Sequence, residues 1–374
     1  MSLFEVSRRQ QSATASAQIF HLDIPLLLGL VTLCIAGLLI LYSASGQDLV
    51  MVERQLVRLT LGFAVMAAIA QLRPTTLLRW TPWLYGVGVI LLIAVFFFGD
   101  IGKGAQRWLE LGPFRFQPSE LMKLAVPMMV AWYLHERPLP VQKRKLFVAV
   151  LIIMVPTLLV AEQPDLGTAI LIAAAGVIVL LLSGVQYGLI AVFAGLLAAV
   201  APIVWFFLLH DYQRRRVWTF LDPEQDPLGA GYHTIQAKIA IGSGGLFGKG
   251  WFNGTQSQLD FLPERHTDFI FAVLAEEFGF LGAALLLLIY LIIIFRGLYI
   301  SVLAQETYNR LLAGSLIFTF FVYVFVNMGM VSGILPVVGV PLPLVSYGGT
   351  SMVTLMAGFG ILMSIHTHRT LHSK

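Results

Sequence analysis

Seven ionisable side chains lie in or just before the segment FLPERHTDFIFAVLAEEFGF (residues 261–280), which leads into a long apolar run. Its carboxylates include Asp268 and, eight and nine residues later, Glu276 and Glu277. One interpretation is a helix start, with Asp268 or Thr267 as the N-cap. The other is a site for acid–base chemistry or ligand binding, placed where water meets a nonpolar phase. A cap requires none of the other charges beside it, so the pattern favours a functional site around Asp268.

The segment QPSELMKLAV (117–126) places Glu120 and Lys123 three residues apart at the start of another apolar run. On a helix this spacing puts both side chains on one face, close enough to pair. Charged groups at membrane depth cost about 2.5–3.5 kcal/mol each, and they therefore pair or line a cavity. The two residues predict either a structural ion pair or an ammonium group that can bind an anionic substrate.

Asp165, in the segment EQPDLGTAI (162–170), lies between two apolar runs that are joined too tightly for an ordinary loop. Proline and glycine on either side of it predict a break in the helix. The aspartate is either the N-cap of the next helix or part of a site built at a helix break, as in membrane transporters. The Gln-Pro pair before it is similar to the earlier pair Gln117-Pro118.

The segment GVPLPLVSYGGTSM (339–352) joins the last two apolar runs and combines two prolines with two adjacent glycines. These residues predict irregular backbone at membrane depth, which persists only where protein or a cavity supports it. We therefore expect a packed wall that carries Ser346, Tyr347, Thr350 and Ser351.

Composition indicates the kind of protein that holds these residues. Of the 374 residues, 58% are hydrophobic and only 12% are charged, and the mean hydropathy is +0.83. Because soluble domains carry roughly 25% charged residues, this composition excludes a soluble globular domain and predicts an integral membrane protein. The single cysteine, Cys34, excludes a disulfide framework and a CxxC metal or redox motif.

Hydropathy predicts an all-α integral membrane protein of about ten transmembrane helices, forming a single polytopic domain over residues 1–374. The predicted spans are 23–43, 56–72, 81–98, 119–135, 146–161, 167–183, 187–209, 268–295, 311–332 and 346–365. Residues 1–22 and 366–374 form the terminal segments, and residues 210–267 form a long loop between helices 7 and 8.

Lys and Arg residues indicate the orientation. If both termini are cytoplasmic, the inside segments carry twelve of these residues and the short outside loops carry five. The positive-inside rule therefore predicts cytoplasmic termini and an extracytoplasmic loop 210–267. Basic stretches remain outside, in GKGAQRW (102–108) and YQRRRVW (212–218). They are either tolerated surface charge or cations that face an anion such as a lipid pyrophosphate.

The long loop contains the apolar pieces TIQAKIAI and LFGKGWF, which predict an amphipathic segment that lies on the bilayer or covers a cavity. Its sequence GSGGLFGKG is similar to a phosphate-binding loop. The GK[ST] ending is missing, however, and no strand is predicted before it, so we exclude a nucleotide site.

Six motifs occur in an order that is typical of one family. They are GAQRWL, FQPSELMK, QPDLGTA, AIGSGGLFGKGW, FLPERHTDFIFAVLAEEFG and PLPLVSYGGTSM, spread over about residues 20–368. With about ten spans, the chain resembles the SEDS proteins (shape, elongation, division, sporulation). The segment LPERHTDFIFAVLAEE is most similar to the corresponding sequence of the members that serve elongation rather than division.

The resemblance implies a peptidoglycan glycosyltransferase of the bacterial inner membrane, which polymerises lipid II at the outer face during cell elongation. Its implied partners are lipid II and the nascent glycan strand, membrane lipid, and a class B penicillin-binding protein that cross-links the strands; nucleic acid is not among them. Asp268 corresponds to the family's essential acidic residue. The residues implied to bind substrate are Glu120, Lys123, Asp165, Arg107, Trp108, His266 and Ser346.

The implied reaction joins a sugar hydroxyl to an anomeric carbon whose leaving group is a lipid pyrophosphate. It needs a base, for which we predict Asp268. It also needs positive charge, for which Lys123, Arg107 and the arginines at 214–216 are candidates. The sequence assigns no residue as a metal ligand. A divalent cation such as Mg²⁺ or Mn²⁺ suits a site of carboxylate and phosphate oxygens, and whether Asp268 and Asp165 hold a metal ion or protons stays open.

Two other classes of function stay open at this point. A lipid II flippase would use the same body but needs no base, and it predicts that Glu276 and Glu277 matter more than Asp268. A non-catalytic scaffold of the elongation machinery predicts that no single polar residue is critical. The crowding of charge around Asp268 favours the enzyme.

Overall fold

The computed structural model describes residues 21–102, 105–111, 114–136, 143–186, 211–222, 231–259, 261–262 and 264–368, with isolated positions between 187 and 210. Twelve helices and one small sheet occur in these ranges. The predicted seventh span (187–209) lies largely outside the described residues, as do residues 1–20 and 369–374 of the terminal segments.

Nine of the helices fall on predicted spans, and three belong to the long loop. The helices are α1 (Ile24–Ala44), α2 (Leu49–Ala70), α3 (Pro74–Phe98), α4 (Pro118–Leu134), α5 (Lys143–Glu162), α6 (Leu166–Leu182), α7 (Asp211–Leu221), α8 (Tyr232–Gly244), α9 (Thr255–Gln258), α10 (Ile270–Val302), α11 (Thr307–Val331) and α12 (Thr350–Thr367). Among the described residues, α1, α3, α5, α10, α11 and α12 are long and apolar enough to cross a membrane. The predicted all-α membrane fold is confirmed.

Prolines and aspartates mark several helix starts. Pro74 and Pro118 are the first residues of α3 and α4, where a missing N–H breaks no helical hydrogen bond. Asp23 caps α1 and accepts a backbone N–H of its first turn (2.9 Å). The same buried carboxylate binds Arg296 of α10 (2.6 Å) and His366 of α12 (2.8 Å). It therefore joins three helices on one side of the bundle, here called the terminal side; the opposite side is the loop side.

The loop side carries a three-stranded antiparallel sheet that the sequence analysis did not predict. Its strands are β1 (Asp100–Gly102), β2 (Ala105–Leu111) and β3 (Phe114–Phe116), in that order. β2 packs against α3 and α4. The sheet thus fixes Arg107 and Trp108, both on β2, at the rim of the bundle.

The irregular segment between α11 and α12 is packed inside the bundle, as predicted. The Tyr290 hydroxyl donates to the carbonyl of Pro343 (2.6 Å), and Gln55 Nε2 donates to the carbonyl of Ser346 (3.2 Å). Both donors are buried. Because an unsatisfied backbone group costs several kcal/mol in the membrane interior, these side chains of α10 and α2 keep the segment stable at this depth.

α10 is two helices in sequence, broken at Gly279, where φ is 65° and ψ is −160°. The turn 245–250 after α8 fills the break. Four backbone hydrogen bonds join it to the two helix ends: Lys249 N to Glu276 O (3.0 Å), Gly250 N to Glu277 O (3.0 Å), Phe280 N to Gly245 O (2.9 Å) and Leu281 N to Leu246 O (3.1 Å). The glycine-rich sequence therefore caps both halves of a broken helix.

The two carboxylates just before the break are buried and take part in internal contacts. Glu276 accepts hydrogen bonds from Lys249 Nζ (2.8 Å) and from the backbone N–H groups of Gln256 (2.9 Å) and Ser257 (3.2 Å) at the start of α9. Arg265 donates to the Ser257 carbonyl at the other end of this short helix. Glu276 thus connects the broken helix to the segment that leads to Asp268. Glu277 accepts a hydrogen bond from Ser43 of α1.

Gly248→Ala should destabilise the protein strongly. Residue 248 has a φ of 79°, and a Cβ there would lie 2.1 Å from the Glu277 carbonyl oxygen. The left-handed conformation alone costs an alanine about 1–2 kcal/mol, and the overlap would force the turn out of the break. Thermal melting in detergent measures the effect. Gly242→Ala on α8 is the control, because a Cβ at residue 242 would point into open space. Equal melting temperatures for both variants would contradict the account.

Glu276→Gln should lower the free energy of unfolding by about 3 kcal/mol, because a neutral amide leaves Lys249 without its carboxylate and places N–H groups against N–H donors. The measurement is thermal or denaturant unfolding in detergent. Glu53→Gln serves as the control, since Glu53 is exposed on α2. An unchanged melting temperature for Glu276→Gln would show that this network does not hold the loop.

Candidate active site

Asp268 lies on the loop side, in the turn 264–269 that precedes α10. The N-cap of α10 is Phe269, and no side chain caps the helix, so the interpretation of Asp268 or Thr267 as an N-cap is wrong. The Thr267 hydroxyl donates instead to Glu264 Oε2 (2.7 Å). The Asp268 side chain is half-buried, and its Oδ2 faces Gly339 across the site, 3.5 Å from the position of a Cβ there.

Three consecutive carbonyls of this turn accept hydrogen bonds, two from the irregular segment between α11 and α12 and one from α11. Tyr347 N donates to His266 O (2.8 Å), and Ser346 Oγ donates to Thr267 O (2.6 Å). The third carbonyl, of Asp268, accepts from Asn327 Nδ2 of α11 (2.9 Å). We call residues 266–268 the lip, and the irregular segment 339–349 the wall.

Ser346 supports the lip from within the wall. It is buried, and its hydroxyl also accepts a hydrogen bond from Leu342 N (2.8 Å). Its role in substrate binding stays a prediction, and this geometry assigns it a contact with the backbone of Thr267.

Aromatic and cationic groups flank the lip. The His266 and Tyr347 rings meet edge to face with centroids 6.2 Å apart, and the Arg58 guanidinium lies 4.5 Å from the Tyr347 centroid. On the other flank, His233 of α8 stacks on Phe269 (5.8 Å). Burial lowers the pKa of His233, and the nearby Glu264 only partly opposes this, so the imidazole is neutral at neutral pH.

Glu120 and Lys123 form the buried ion pair that their spacing predicts. Lys123 Nζ lies 2.7 Å from Glu120 Oε1, and the residues are 7% and 5% exposed respectively. The ammonium lies 5.2 Å from the centroid of the Tyr323 ring. The pair is therefore part of the interior of the site and not of its open surface.

Asp165 joins two helix starts and one strand. Its Oδ1 accepts the N–H of Thr168 (3.3 Å), so the predicted N-cap of α6 is confirmed. Its Oδ2 accepts from Gln117 Nε2 (3.2 Å) and lies 3.8 Å from the Arg107 guanidinium. Arg107 also donates to Pro164 O (2.6 Å). The two Gln-Pro segments thus meet here, and the side chain of Arg107, 33% exposed, remains open toward the loop side.

Two small cavities connect these groups. One, of about 30 Å³, is lined mainly by apolar side chains of α4, α11 and α12, and its polar lining includes Glu120, Lys123, Thr319, Tyr323, Ser351 and Thr354. The other, of about 10 Å³, shares Tyr323 and Ser351 with it and reaches Ser346 in the wall. Both have room for water only. Together they place a few polar groups, from the Glu120–Lys123 pair to Ser346, along two neighbouring and mainly apolar cavities.

The remaining candidates are placed less centrally. Trp108 is half-buried on β2, opposite Asp100 of β1. Of the arginines at 214–216, only Arg214 has a described side chain, and it donates to Phe206 O (2.9 Å). In the described part of the chain, no three His, Cys, Asp or Glu side chains are close enough together to bind a metal.

Sequence reasoning missed three residues of this site, namely Arg58, Tyr323 and Asn327. Tyr323 and Asn327 are isolated polar residues in the apolar second half of α11, whereas Arg58 follows several polar residues in the first half of α2. Such isolated polar residues at membrane depth are a functional signal, but the sequence does not reveal which of them face the site.

Comparison with known proteins shows the family to which the chain belongs. A family model described as "Cell cycle protein", covering FtsW, RodA and SpoVE, matches residues 16–371. The peptidoglycan glycosyltransferase MrdB of Escherichia coli (strain K12) is 59% identical over 354 residues, which covers 95% of this chain and 96% of that protein. A probable peptidoglycan glycosyltransferase FtsW of Geobacter sulfurreducens (strain DL-1 / KN400) is 35% identical, with coverage of 94% and 96%.

Solved structures show the same fold. A chain of a peptidoglycan synthase complex, studied for its coordination of polymerization and crosslinking, matches with a TM-score of 0.82 at 34% identity, covering 94% of this chain and 99% of that one. The rod shape determining protein RodA of Thermus thermophilus matches with a TM-score of 0.70 at 29% identity, with coverage of 92% and 96%. This chain belongs to the SEDS family of FtsW, RodA and SpoVE proteins.

Proposed function

We propose that this protein polymerises lipid II into glycan strands during cell elongation, with Asp268 as the general base. The observation that carries the proposal is the lip itself. The half-buried Asp268 carboxylate belongs to the lip, and the backbone carbonyls of all three lip residues are fixed by hydrogen bonds. Rigid placement of a base at a site edge is what proton abstraction from a substrate hydroxyl requires.

The class of activity follows from the relatives. The chain is a peptidoglycan glycosyltransferase, as is MrdB at 59% identity over nearly the full length of both chains. Lipid II as the substrate and cell elongation as the process are parts of the proposal, and the resemblance of the HTDF region to elongation members supports them.

The loop side faces the periplasm in this proposal, and both termini are cytoplasmic in a bacterial inner membrane. The excess of Lys and Arg in the segments on the terminal side supports this orientation. The exposed side chains of Leu246 and Phe247 beside the helix break fit a segment that lies in the outer leaflet next to the lip. A lipid-linked sugar would thus meet Asp268 at the level of the headgroups.

Asp268 takes the proton of the acceptor hydroxyl. The hydroxyl oxygen bonds to the anomeric carbon of the donor while the bond from that carbon to the lipid pyrophosphate breaks. The displacement is direct, so it needs no covalent intermediate. Arg107 at the rim supplies positive charge for the departing pyrophosphate. Lys123, which is paired with Glu120 in the interior, would add to this charge only if the pyrophosphate replaced Glu120 as its partner. Trp108 and His266 are proposed to contact the sugars.

A divalent cation, Mg²⁺ or Mn²⁺, would share the neutralisation of the pyrophosphate. The described side chains do not form a complete metal site, so such an ion would need oxygen ligands from the substrate in addition to a carboxylate such as Asp268. No step of the proposed proton transfer depends on it.

A class B penicillin-binding protein is the proposed partner. The match to a chain of a peptidoglycan synthase complex that couples polymerization to crosslinking supports a transpeptidase partner. Membrane lipid surrounds the apolar faces of the bundle.

The lipid II flippase is less well supported. It depends on mid-membrane charges that can serve a moving substrate, yet Glu276 is bound to Lys249 and α9, and Glu120 is bound to Lys123. Glu277 accepts a hydrogen bond from Ser43. These carboxylates are committed to internal contacts. A scaffold, the other alternative, would not need a lip that is fixed at three consecutive residues.

Asp268→Asn should abolish glycan polymerisation from lipid II, with a loss of at least about 100-fold, because a neutral amide cannot accept the hydroxyl proton. The assay uses the purified complex with the transpeptidase and contains penicillin, and melting temperatures are measured alongside. Asp48→Asn is the control: Asp48 is another loop-side aspartate, and it caps α2 in a way that asparagine can also do.

Full polymerisation by Asp268→Asn at an unchanged melting temperature would remove Asp268 as the base. Loss of activity in both variants would point to a general effect of charge on the loop side.

A further inference from the structure

Asn327 has a fully buried amide side chain, and it lies outside all six motifs of the sequence analysis. It lies in the last turns of α11, and its Nδ2 donates two hydrogen bonds, to Asp268 O (2.9 Å) and to Val340 O (2.7 Å). These acceptors belong to the lip and the wall respectively. One side chain therefore ties the backbone of the proposed base to the segment opposite it.

The two polar atoms of the Asn327 amide differ in their contacts. Among the described residues, no donor binds the buried Asn327 Oδ1. A buried polar atom without a hydrogen bond costs about 1–3 kcal/mol. What the amide provides is therefore the pair of bonds donated by Nδ2, which join the lip to the wall.

The other two contacts to the lip do not fix Asp268 itself. Tyr347 N binds the carbonyl of His266, and Ser346 Oγ binds that of Thr267. Without Asn327 the lip would still be anchored at these two residues, and α10 would still begin at Ile270, after its N-cap Phe269. The expected change is a local rotation of the peptide group after Asp268 and a displaced carboxylate in a folded protein.

Asn327 also relates the lip to the interior of the site. Tyr323, four residues earlier on α11, lies on the same helix face and borders Lys123. Residues four apart on a helix are separated by about 6 Å along its axis. α11 therefore sets the spacing between the proposed base and the buried Glu120–Lys123 pair.

We propose that Asn327 is a positioning residue that holds the Asp268 carboxylate at the acceptor hydroxyl. The inference rests on the proposed role of Asp268. It predicts that loss of the amide impairs the chemical step while substrate binding is retained, since the groups that contact the sugars and the pyrophosphate are unchanged.

The test compares Asn327→Leu with Ser315→Ala in the glycan polymerisation assay, using the complex with the transpeptidase and varied lipid II. Ser315 is the matched control, because it is also a fully buried residue of α11 that donates to a backbone carbonyl, that of Ala175 (2.7 Å). Melting temperatures are recorded for both. If Asn327→Leu cannot be purified in folded form, Asn327→Ser takes its place under the same criteria.

The expected result is a fall in kcat of about 10- to 100-fold for Asn327→Leu, since a small misplacement of a catalytic group has effects of this size. KM for lipid II should stay within about twofold of wild type, as for an interaction that acts only on the transition state. Ser315→Ala should keep its kcat even where its melting temperature falls. A normal kcat for Asn327→Leu, or equal losses of kcat in both variants, would overturn the inference.

Asp268→Asn is assayed in the same series to separate two kinds of failure. If Asp268→Asn is inactive while Asn327→Leu is fully active, the positioning role is wrong and the base stands. If Asp268→Asn is active, the proposed base itself is wrong.

Discussion

The structure depends on a helix that is broken at the edge of the membrane and repaired by another part of the chain. At Gly279 the backbone leaves the helical conformation, and the hydrogen bonds lost there are replaced by four bonds to the turn 245–250. Because unsatisfied backbone groups cost several kcal/mol at this depth, the break persists only while the turn fills it. The long loop is therefore part of the site's framework, and its glycines allow the close approach.

The break determines where the site can form. The first half of α10 is a short, separate helix, and the turn before it binds α11 and the wall. Glu276, just before the break, fixes α9 and thereby the segment that carries Arg265. The lip is thus held from below by a buried carboxylate and from behind by three donors to its carbonyls. A rigid lip at the edge of the bundle is a suitable place for the base that we propose.

The sequence predicted the spans and the acidic residues, and it could not predict the supports. Hydropathy is a local property of the sequence, so nine helices lie where spans were predicted. A charged residue such as Asp268 is likewise easy to identify beside an apolar run. The sequence does not predict the broken helix, because a glycine is tolerated inside helices. The break at Gly279 depends on hydrogen bonds to a turn about thirty residues earlier in the chain. The role of Ser346 as a contact of Thr267 depends on neighbours far apart in the chain. Asn327 looked like one polar residue among apolar ones, and the short sheet at 100–116 lacked strong strand signals.

The most direct test of the account is a structure of the protein, with its transpeptidase partner, bound to an unreactive lipid II analogue and a short glycan acceptor. The quantity to measure is the distance between the Asp268 carboxylate and the 4-hydroxyl of the acceptor sugar. The account predicts hydrogen-bond distance, with the pyrophosphate of the donor near Arg107. An acceptor hydroxyl bound to a different carboxylate, with Asp268 turned away from both sugars, would contradict it.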